Sequence, residues 1–177
     1  MRPLSDAALL AALRSGGFTV YFRHTATDFS QNDKASRGFD DCANQRNLIE
    51  RGRSDARAIA AAVRELKIPI ERVLASPLCR TMETARLIFG RAEPSLEVRA
   101  QPGVQSVADR FAPLQKLLAA PTRKGTNIAI VSHGNPFYGI AGPPYLAEGE
   151  AAVIRGLGSD FEVIGRIRPE QWAALAR

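Results

Sequence analysis

Short apolar segments alternate with amphipathic segments along most of the chain. Residues 18–22, 72–75 and 127–131 are apolar runs bounded by Gly, Pro or polar residues, which is typical of buried strands. Between the first two runs, apolar side chains recur at helical spacing over residues 49–66. Strands that alternate with helices predict an α/β domain built on a mostly parallel sheet.

Capping and helix-breaking residues predict the remaining elements. These are a helix from Ser5 to about Ser15, a helix from Pro77 to Phe89, a helix from about Val107 to Leu118, a hairpin of residues 151–155 and 161–167, and a terminal helix from Pro169. The chain is therefore predicted to form a single domain over residues 1–177. Its expected architecture is a three-layer α/β/α sandwich, with a mostly parallel central sheet and a C-terminal antiparallel hairpin at its edge.

Polar clusters follow three of the predicted strands directly. Arg23-His24 follows the first, Ser76 to Arg80 follows the second, and Ser132-His133 follows the third. Ligands of open parallel sheets bind beyond the carboxyl ends of the strands, where the following helices also direct amide groups. Two irregular segments, residues 25–47 and 91–104, flank the same clusters, and loops of this length in compact domains are usually functional.

The chain has two histidines, and both lie at this predicted edge. A single histidine beside a strand is commonly a structural hydrogen-bonding residue, but His24 and His133 share the edge with Arg23 and Arg80. Guanidinium groups make bidentate contacts with phosphate oxygens, and neighbouring cations keep an imidazole neutral and nucleophilic. We therefore predict phosphoryl transfer with His24 as nucleophile, and His133, when protonated, holding an equatorial oxygen. No third histidine or carboxylate completes a metal-ligand set, so no metal is predicted.

Composition narrows the possible partners. The 177 residues carry a net charge of +6, which fits either a solvated arginine-rich surface or an anionic partner. No apolar run is long enough to span a bilayer, and no basic run, aromatic interleaving or zinc-ligand spacing suggests nucleic-acid binding. The N-terminus favours an amphipathic helix over a signal peptide, so the visible chain is expected in the cytoplasm, or in the periplasm or outside the cell if an export signal was removed. The sequence does not predict an oligomeric state.

Four motifs in this order resemble the histidine phosphatase superfamily, also called phosphoglycerate mutase-like. They are residues 21–27 (YFRHTAT), 47–53 (NLIERGR), 75–85 (ASPLCRTMETA) and 131–134 (VSHG), and the similarity runs from about residue 18 to 140. The resemblance implies that Arg23, Arg80 and His133 bind the phosphoryl group and that His24 forms a phosphohistidine intermediate. It also implies that no metal or organic cofactor is needed.

The resemblance leaves several positions open. Thr27 and Ser30 fall where the family often places polar neighbours of the phosphate, whereas Thr25 replaces the usual glycine after the nucleophile. The family's general acid is not secured by a motif. Glu97 and Asp109 lie in the right interval of the sequence, and Asp28 lies near the nucleophile; each is alternatively a solvent-exposed charge.

Residues 40–48 (DDCANQRNL) look like a small bacterial subgroup of the family whose members are often exported. Cys42 and Cys79 both lie near pocket motifs, and we hypothesise a disulfide between them. The alternative is a pair of free thiols, as is usual in a cytosolic protein.

The favoured function is a phosphatase that hydrolyses a phosphomonoester or phosphohistidine, on a phosphorylated small molecule or phosphoprotein. Hydrolysis is favoured over mutase chemistry, since the insertions that cover the pocket in mutases are not evident. Two alternatives stay open: a catalytically weak phosphate- or phosphoprotein-binding module of the same fold, and a structural protein whose positive cleft holds an acidic partner.

Overall fold

The structure is a computed structural model that describes residues 4–101 and 103–176, apart from the side chains of residues 107 and 108. Its helices are α1 (Asp6–Ser15), α2 (Glu50–Glu65), α3 (Cys79–Phe89), α4 (Val107–Ala119), α5 (Gly134–Ala141) and α6 (Pro169–Leu175). Its strands are β1 (Thr19–Arg23), β2 (Ile70–Ala75), β3 (Glu93–Pro94), β4 (Asn127–Ser132), β5 (Ala151–Gly156) and β6 (Phe161–Ile167).

These strands form one sheet in the order β3-β2-β4-β1-β5-β6. The first four are parallel, and the hairpin β5-β6 joins β1 antiparallel. The helices α1, α2, α3 and α6 pack on one face of the sheet, and α4 and α5 pack on the other. The predicted α/β/α architecture with a C-terminal hairpin at the sheet edge is confirmed.

Several element boundaries differ from the prediction by a few residues. Strand β2 begins at Ile70, two residues earlier than expected, and a two-residue strand β3 lies inside the segment expected to be irregular. Helix α3 begins at Cys79 because Leu78, its N-cap, has an extended backbone with ψ of 146°. This extension carries the chain past the sheet edge before the helix starts, which matters for the residue that follows, Arg80.

The buried residues of the core fix the register of the strands. Along β1, Val20 and Phe22 face the cluster that includes α2, while Tyr21 faces the cluster that includes α4 and α5. All three side chains are buried, so a one-residue slip in register would exchange the two faces. No helix in the described residues is both long enough and apolar enough to span a membrane.

Candidate active site

The three predicted polar clusters meet at one edge because β1, β4 and β2 are adjacent and parallel. Arg23 is paired with Ser132, and Ala75 with Val131. The hydrogen bonding continues past the strands, where the His24 amide donates to the Ser132 carbonyl at 2.9 Å and the Ser76 amide donates to the Val131 carbonyl at 3.0 Å. The backbone ladder therefore places His24, Ser76 and His133 side by side.

The His24 ring is held in one tautomer. Its Nδ1 lies 3.0 Å from the carbonyl oxygen of Thr25. A carbonyl oxygen only accepts, so Nδ1 carries the proton and donates it. In the neutral ring Nε2 then keeps its lone pair, which is the state that a nucleophile requires.

Burial and positive charge keep His24 neutral. Its side chain is 1% exposed, and desolvation lowers its pKa from 6.5 to about 3. The backbone hydrogen bond to Thr25 opposes this shift, while the charges of Arg80, Arg23 and Arg46 add to it. The imidazole is therefore unprotonated at neutral and mildly acidic pH.

The loop after His24 is anchored to both helices that flank it. Thr25 has an ordinary negative φ, and its hydroxyl lies 3.2 Å from that of Thr84 on α3, which donates to the Arg80 carbonyl at 2.7 Å. Helix α2 approaches so closely that a Cβ at Gly52 would collide with the carbonyl oxygen of Ala26. Threonine in place of the family's glycine thus links the nucleophile loop to the helix that carries Arg80.

His133 lies beside the nucleophile. The centroids of the two rings are 5.6 Å apart and the ring planes are inclined by 67°. The His133 Nε2 lies 2.8 Å from the Ser76 hydroxyl, and its carbonyl accepts a hydrogen bond from the buried Tyr21 hydroxyl at 2.7 Å. Burial and then the charge of Arg80 hold the pKa of His133 well below 6.5, so this imidazole is also neutral before an anion binds.

Arg80 is clamped by a carboxylate from the irregular segment 25–47. Its two terminal nitrogens donate to the two carboxylate oxygens of Asp33, each at 3.0 Å, and Nη1 also reaches the Arg46 carbonyl at 3.3 Å. These contacts use both protons of Nη1 and one proton of Nη2. The buried Nε–H of Arg80 has no acceptor among the described residues, so the Nε/Nη2 edge of the guanidinium is available to an anion.

Arg23 and Arg46 also have a buried Nε–H group without an acceptor among the described residues. Arg23 donates from Nη1 to the Leu146 carbonyl at 2.8 Å and lies over the Tyr145 ring. Arg46 lies over the Phe29 ring, with its Cζ 5.0 Å from the ring centroid. In the described part of the chain, neither Nε–H has an acceptor, although both are buried. Three buried donors around one imidazole point to an acceptor-rich anion, because buried polar groups are rarely left without a partner.

Glu148 is the carboxylate on the opposite side of the nucleophile. Its Oε1 accepts a hydrogen bond from Thr27 at 2.6 Å and lies 3.8 Å from Arg23 Nη2 and 3.9 Å from His24 Nδ1. It therefore faces the protonated nitrogen of the imidazole rather than Nε2. A negative charge there stabilises positive charge that develops on the ring when Nε2 forms a bond.

The predicted phosphate ligands Thr27 and Ser30 both donate their hydroxyl protons to carboxylates. The only hydroxyl proton of Thr27 goes to Glu148, and that of Ser30 goes to Asp28 at 2.6 Å. Their roles as phosphate ligands stay predictions. The hydrogen bonds from Ser30 also lower the pKa of Asp28, which makes Asp28 a poor proton donor.

In the part of the chain that the structure describes, neither of the predicted general acids forms a hydrogen bond or ion pair with an imidazole. Asp109 is exposed in the first turn of α4, where its amide donates to the Ser106 hydroxyl at 3.4 Å. Glu97 is exposed, and its charge acts on Arg72 near the beginning of β2, away from the carboxyl edge. Glu83, three residues after Arg80 on α3, pairs with Arg53 at 2.6 Å.

Cys42 and Cys79 form a disulfide in the structure, with their Cα atoms 5.7 Å apart. The bond joins segment 25–47 to the first residue of α3, directly before Arg80. Among the described residues, no group of three or more His, Cys, Asp and Glu side chains lies close enough together to hold a metal ion.

Comparison with known proteins agrees with this geometry. A sequence profile of the histidine phosphatase superfamily (branch 1) matches residues 20–105, which include Arg23, His24 and Arg80. Over these residues, which make up just under half of its length, the chain is similar to the histidine phosphatase superfamily. His133 lies beyond the matched residues, and it is the sheet register that brings it to the site.

Solved structures share the fold of this chain at low sequence identity. The protein histidine phosphatase SixA, complexed with tungstate, is 21% identical, with a TM-score of 0.60 over 87% of this chain and 98% of that one. A mycobacterial glucosyl-3-phosphoglycerate phosphatase is 14% identical, with a TM-score of 0.62 over 84% and 97%. A phosphoglycerate mutase from Bacillus anthracis is 13% identical, with a TM-score of 0.60 over 93% and 99%. No curated protein sequence matches the chain.

The sequence analysis missed Asp33, Arg46, Arg99 and Glu148. Three of them lie in the two irregular segments, which were expected to be functional but offered no periodicity to single out a residue. The available signal was charge: arginines within loops that flank phosphate motifs deserve to be treated as candidates for the pocket.

Proposed function

We propose that this chain is a phosphohydrolase that transfers a phosphoryl group to Nε2 of His24 and then to water. The observation that carries the proposal is the set of three buried Nε–H donors, on Arg23, Arg46 and Arg80, around a neutral imidazole whose lone pair is on Nε2. Such donors bind the equatorial oxygens of a phosphoryl group and stabilise the charge of its transition state.

In the first step, Nε2 forms a bond to phosphorus while the bond from phosphorus to the leaving group breaks. The ring keeps its Nδ1 proton and becomes positively charged, so the Thr25 carbonyl and the Glu148 carboxylate stabilise it. In the second step, water attacks phosphorus, Nε2 leaves with its electron pair, and inorganic phosphate is released with the proton from water passing to solvent. A bound phosphoryl dianion favours protonation of His133, which then donates to an oxygen.

The favoured substrates have leaving groups that need little help from an acid. Among the described carboxyls, those nearest the pocket are Asp33, paired with Arg80, and Glu148, which faces Nδ1. Asp33 is engaged by Arg80, and Glu148 accepts a hydrogen bond from Thr27 and faces the nitrogen that does not attack, so neither is arranged as a proton donor to a leaving group. We therefore propose phosphohistidine-like phosphoramidates and aryl phosphates ahead of simple alkyl phosphates, which agrees with the fold shared with SixA, a protein histidine phosphatase.

The same lack of a placed proton donor favours one alternative, a phosphate-binding module that turns over slowly. Mutase chemistry is a second alternative. The alignment with the Bacillus anthracis mutase covers 99% of that protein, so chain length does not separate the two activities.

A trapping experiment tests the proposal. Wild type and His24→Asn are mixed with radiolabelled phosphoramidate and quenched in alkaline detergent, since phosphohistidine is stable in base and labile in acid. We expect label on His24 within the first turnover and its release as inorganic phosphate. If wild type carries no more label than His24→Asn, the hydrolase proposal is wrong and the binding module is favoured. Transfer to an added alcohol in place of water would indicate a mutase.

A further inference from the structure

Arg99 lies at the edge of the pocket, on the side of His133. Its neighbour Val98 is completely buried, and the Val98 carbonyl accepts a hydrogen bond from the Ser132 hydroxyl at the end of β4. The Arg99 amide also closes a turn onto the Leu96 carbonyl at 3.4 Å. The backbone of Arg99 is therefore tied to the strand that leads into His133.

The Arg99 side chain lies over an aromatic ring. Its Cζ lies 5.2 Å from the centroid of Phe39, which is a cation–π distance. The loop that carries Phe39 is itself fixed, because Gln45 Nε2 donates to the carbonyls of Gly38 and Phe39 at 3.0 and 3.1 Å. A guanidinium stacked on its face keeps its edge N–H groups free to bind an anion in one plane.

Arg99 differs from the paired arginines of the surface. Arg53, Arg72 and Arg123 each contact a carboxylate within 3.0 Å. Arg99 is half-buried, and its side chain makes no ion pair or hydrogen bond with the part of the chain that the structure describes. Its charge acts on the pocket instead. It helps to lower the pKa of His133, to which burial and the charges of Arg80 and His24 contribute more.

In the proposed function the phosphoryl oxygens take their donors from the buried Nε–H groups of Arg23, Arg46 and Arg80, so the charge of Arg99 is left for another anion. We infer that Arg99, stacked on Phe39, forms a second anion subsite, and that the preferred substrate is a phosphorylated small molecule with another anionic group a few bonds from the phosphoryl group. That the bound molecule is turned over rests on the proposed function. Binding of the second anionic group at Arg99 does not depend on it. A carboxylate or a second phosphate has the required chemistry.

Binding of phosphonates tests the subsite without turnover. Phenylphosphonate is compared by calorimetry with its 3-carboxy and 4-carboxy derivatives, on wild type, Arg99→Gln and Arg91→Gln. Arg91 is the matched control, since it is exposed on the same segment and donates to the Ile70 carbonyl at 2.7 Å, away from the pocket. We expect wild type and Arg91→Gln to bind at least one carboxylated compound about tenfold more tightly than phenylphosphonate, as a good charge-assisted pair allows.

The variant Arg99→Gln should lose that preference, and Arg99→Lys should keep part of it. Equal weakening of all three compounds in Arg99→Gln would overturn the subsite and leave Arg99 as a general contributor to the positive field. So would the absence of any preference in wild type. Turnover of phenyl phosphate is measured on the same wild-type preparation. A preference that persists without turnover would reject the hydrolase while supporting the subsite, so the two failures are distinguishable.

Discussion

The pocket has two halves that are built in different ways. The strand-end half consists of His24, Ser76 and His133, which follow β1, β2 and β4 and are fixed by the backbone ladder of the sheet. The loop half consists of residues 25–47 and carries Asp33 and Arg46, which are held by side-chain hydrogen bonds, aromatic stacking and one disulfide.

The difference separates two tasks. The sheet sets the distance between the nucleophile and the second imidazole, and no substitution in the loop alters that register. The loop supplies charge around the anion and contacts Arg80 from outside. Alignment for chemistry is therefore built into the fold, whereas the strength and selectivity of anion binding depend on how the loop is held.

The largest effect is expected at Arg80, where the halves meet. Arg80→Gln removes the pocket's clamped guanidinium and releases Asp33 from its ion pair, so kcat/KM should fall about a thousandfold. Steady-state hydrolysis of an aryl phosphate measures the effect. Arg86→Gln is the control, since Arg86 is exposed on the same helix, and its activity should match wild type. A loss of less than about tenfold in Arg80→Gln would mean that the other two arginines suffice.

A smaller effect is expected when the loop half alone is loosened. The double variant Cys42→Ser/Cys79→Ser should lose about 4 kcal/mol of unfolding free energy, because the bond closes a separation of 37 residues. Its kcat/KM should fall about tenfold, since Arg46 loses its fixed position. Labelling of His24 by phosphoramidate should persist, because the strand-end half is untouched.

Reducing agent is the internal control for this variant, since it should reproduce the loss in wild type and change nothing in the double variant. If the double variant keeps full kcat/KM at a temperature where it remains folded, the loop half is positioned by its hydrogen bonds alone. If it loses all labelling of His24, the two halves are not independent and the comparison fails.

The two halves also differ in how far the sequence alone predicts them. The strand-end residues follow apolar runs whose order and bounding residues indicate a parallel sheet, so the meeting of Arg23, His24, Arg80 and His133 at one edge is predictable from topology. The exact register, which sets the ring spacing, is not predictable from the sequence, because both faces of the central strands are apolar and no alternation of polar and apolar residues singles out one pairing.

Most of the loop half could not be predicted, because its contacts are between side chains distant in sequence. Asp33 reaches Arg80 across 47 positions, and Glu148 reaches Thr27 across 121 positions. Neither contact follows from periodicity or propensity. The irregularity of residues 25–47 indicated function, but which of their charges turns inward depends on tertiary packing. The exception is Cys42, whose disulfide with Cys79 of α3 is hypothesised from the closeness of both cysteines to pocket motifs.

The smallest expected effect, a change in stability with pH, separates the halves by the groups they titrate. Both histidines belong to the strand-end half, and they are the only two in the chain. Their folded pKa values lie below the unfolded value of 6.5, that of His24 at about 3. Between these values the unfolded chain binds more protons than the folded one, so stability rises with pH and is lost on acidification.

Asp33, in the loop half, titrates in another window. Burial raises the pKa of Asp33, but the hydrogen bonds from Arg80 and Arg46 together outweigh burial, so the pKa lies below its usual value of 3.8. Its contribution to stability is fully present above the unfolded pKa of 3.8 and is lost as the pH falls from there through the folded pKa. Between pH 6.5 and 5, therefore, the pH dependence of stability belongs to the strand-end half.

Urea unfolding across that interval, in buffers free of phosphate, should show the slope approach about 1.4 kcal/mol per pH unit for each histidine. Replacing His24 by Gln should remove about half of it, and Asp33→Asn should leave it unchanged. Added phosphate should flatten the remaining slope, because a bound anion raises the folded pKa of His133 toward its unfolded value. A slope that Asp33→Asn abolishes would place the buried titrating group in the loop half, and one that phosphate leaves unaltered would mean that His133 does not face the bound anion.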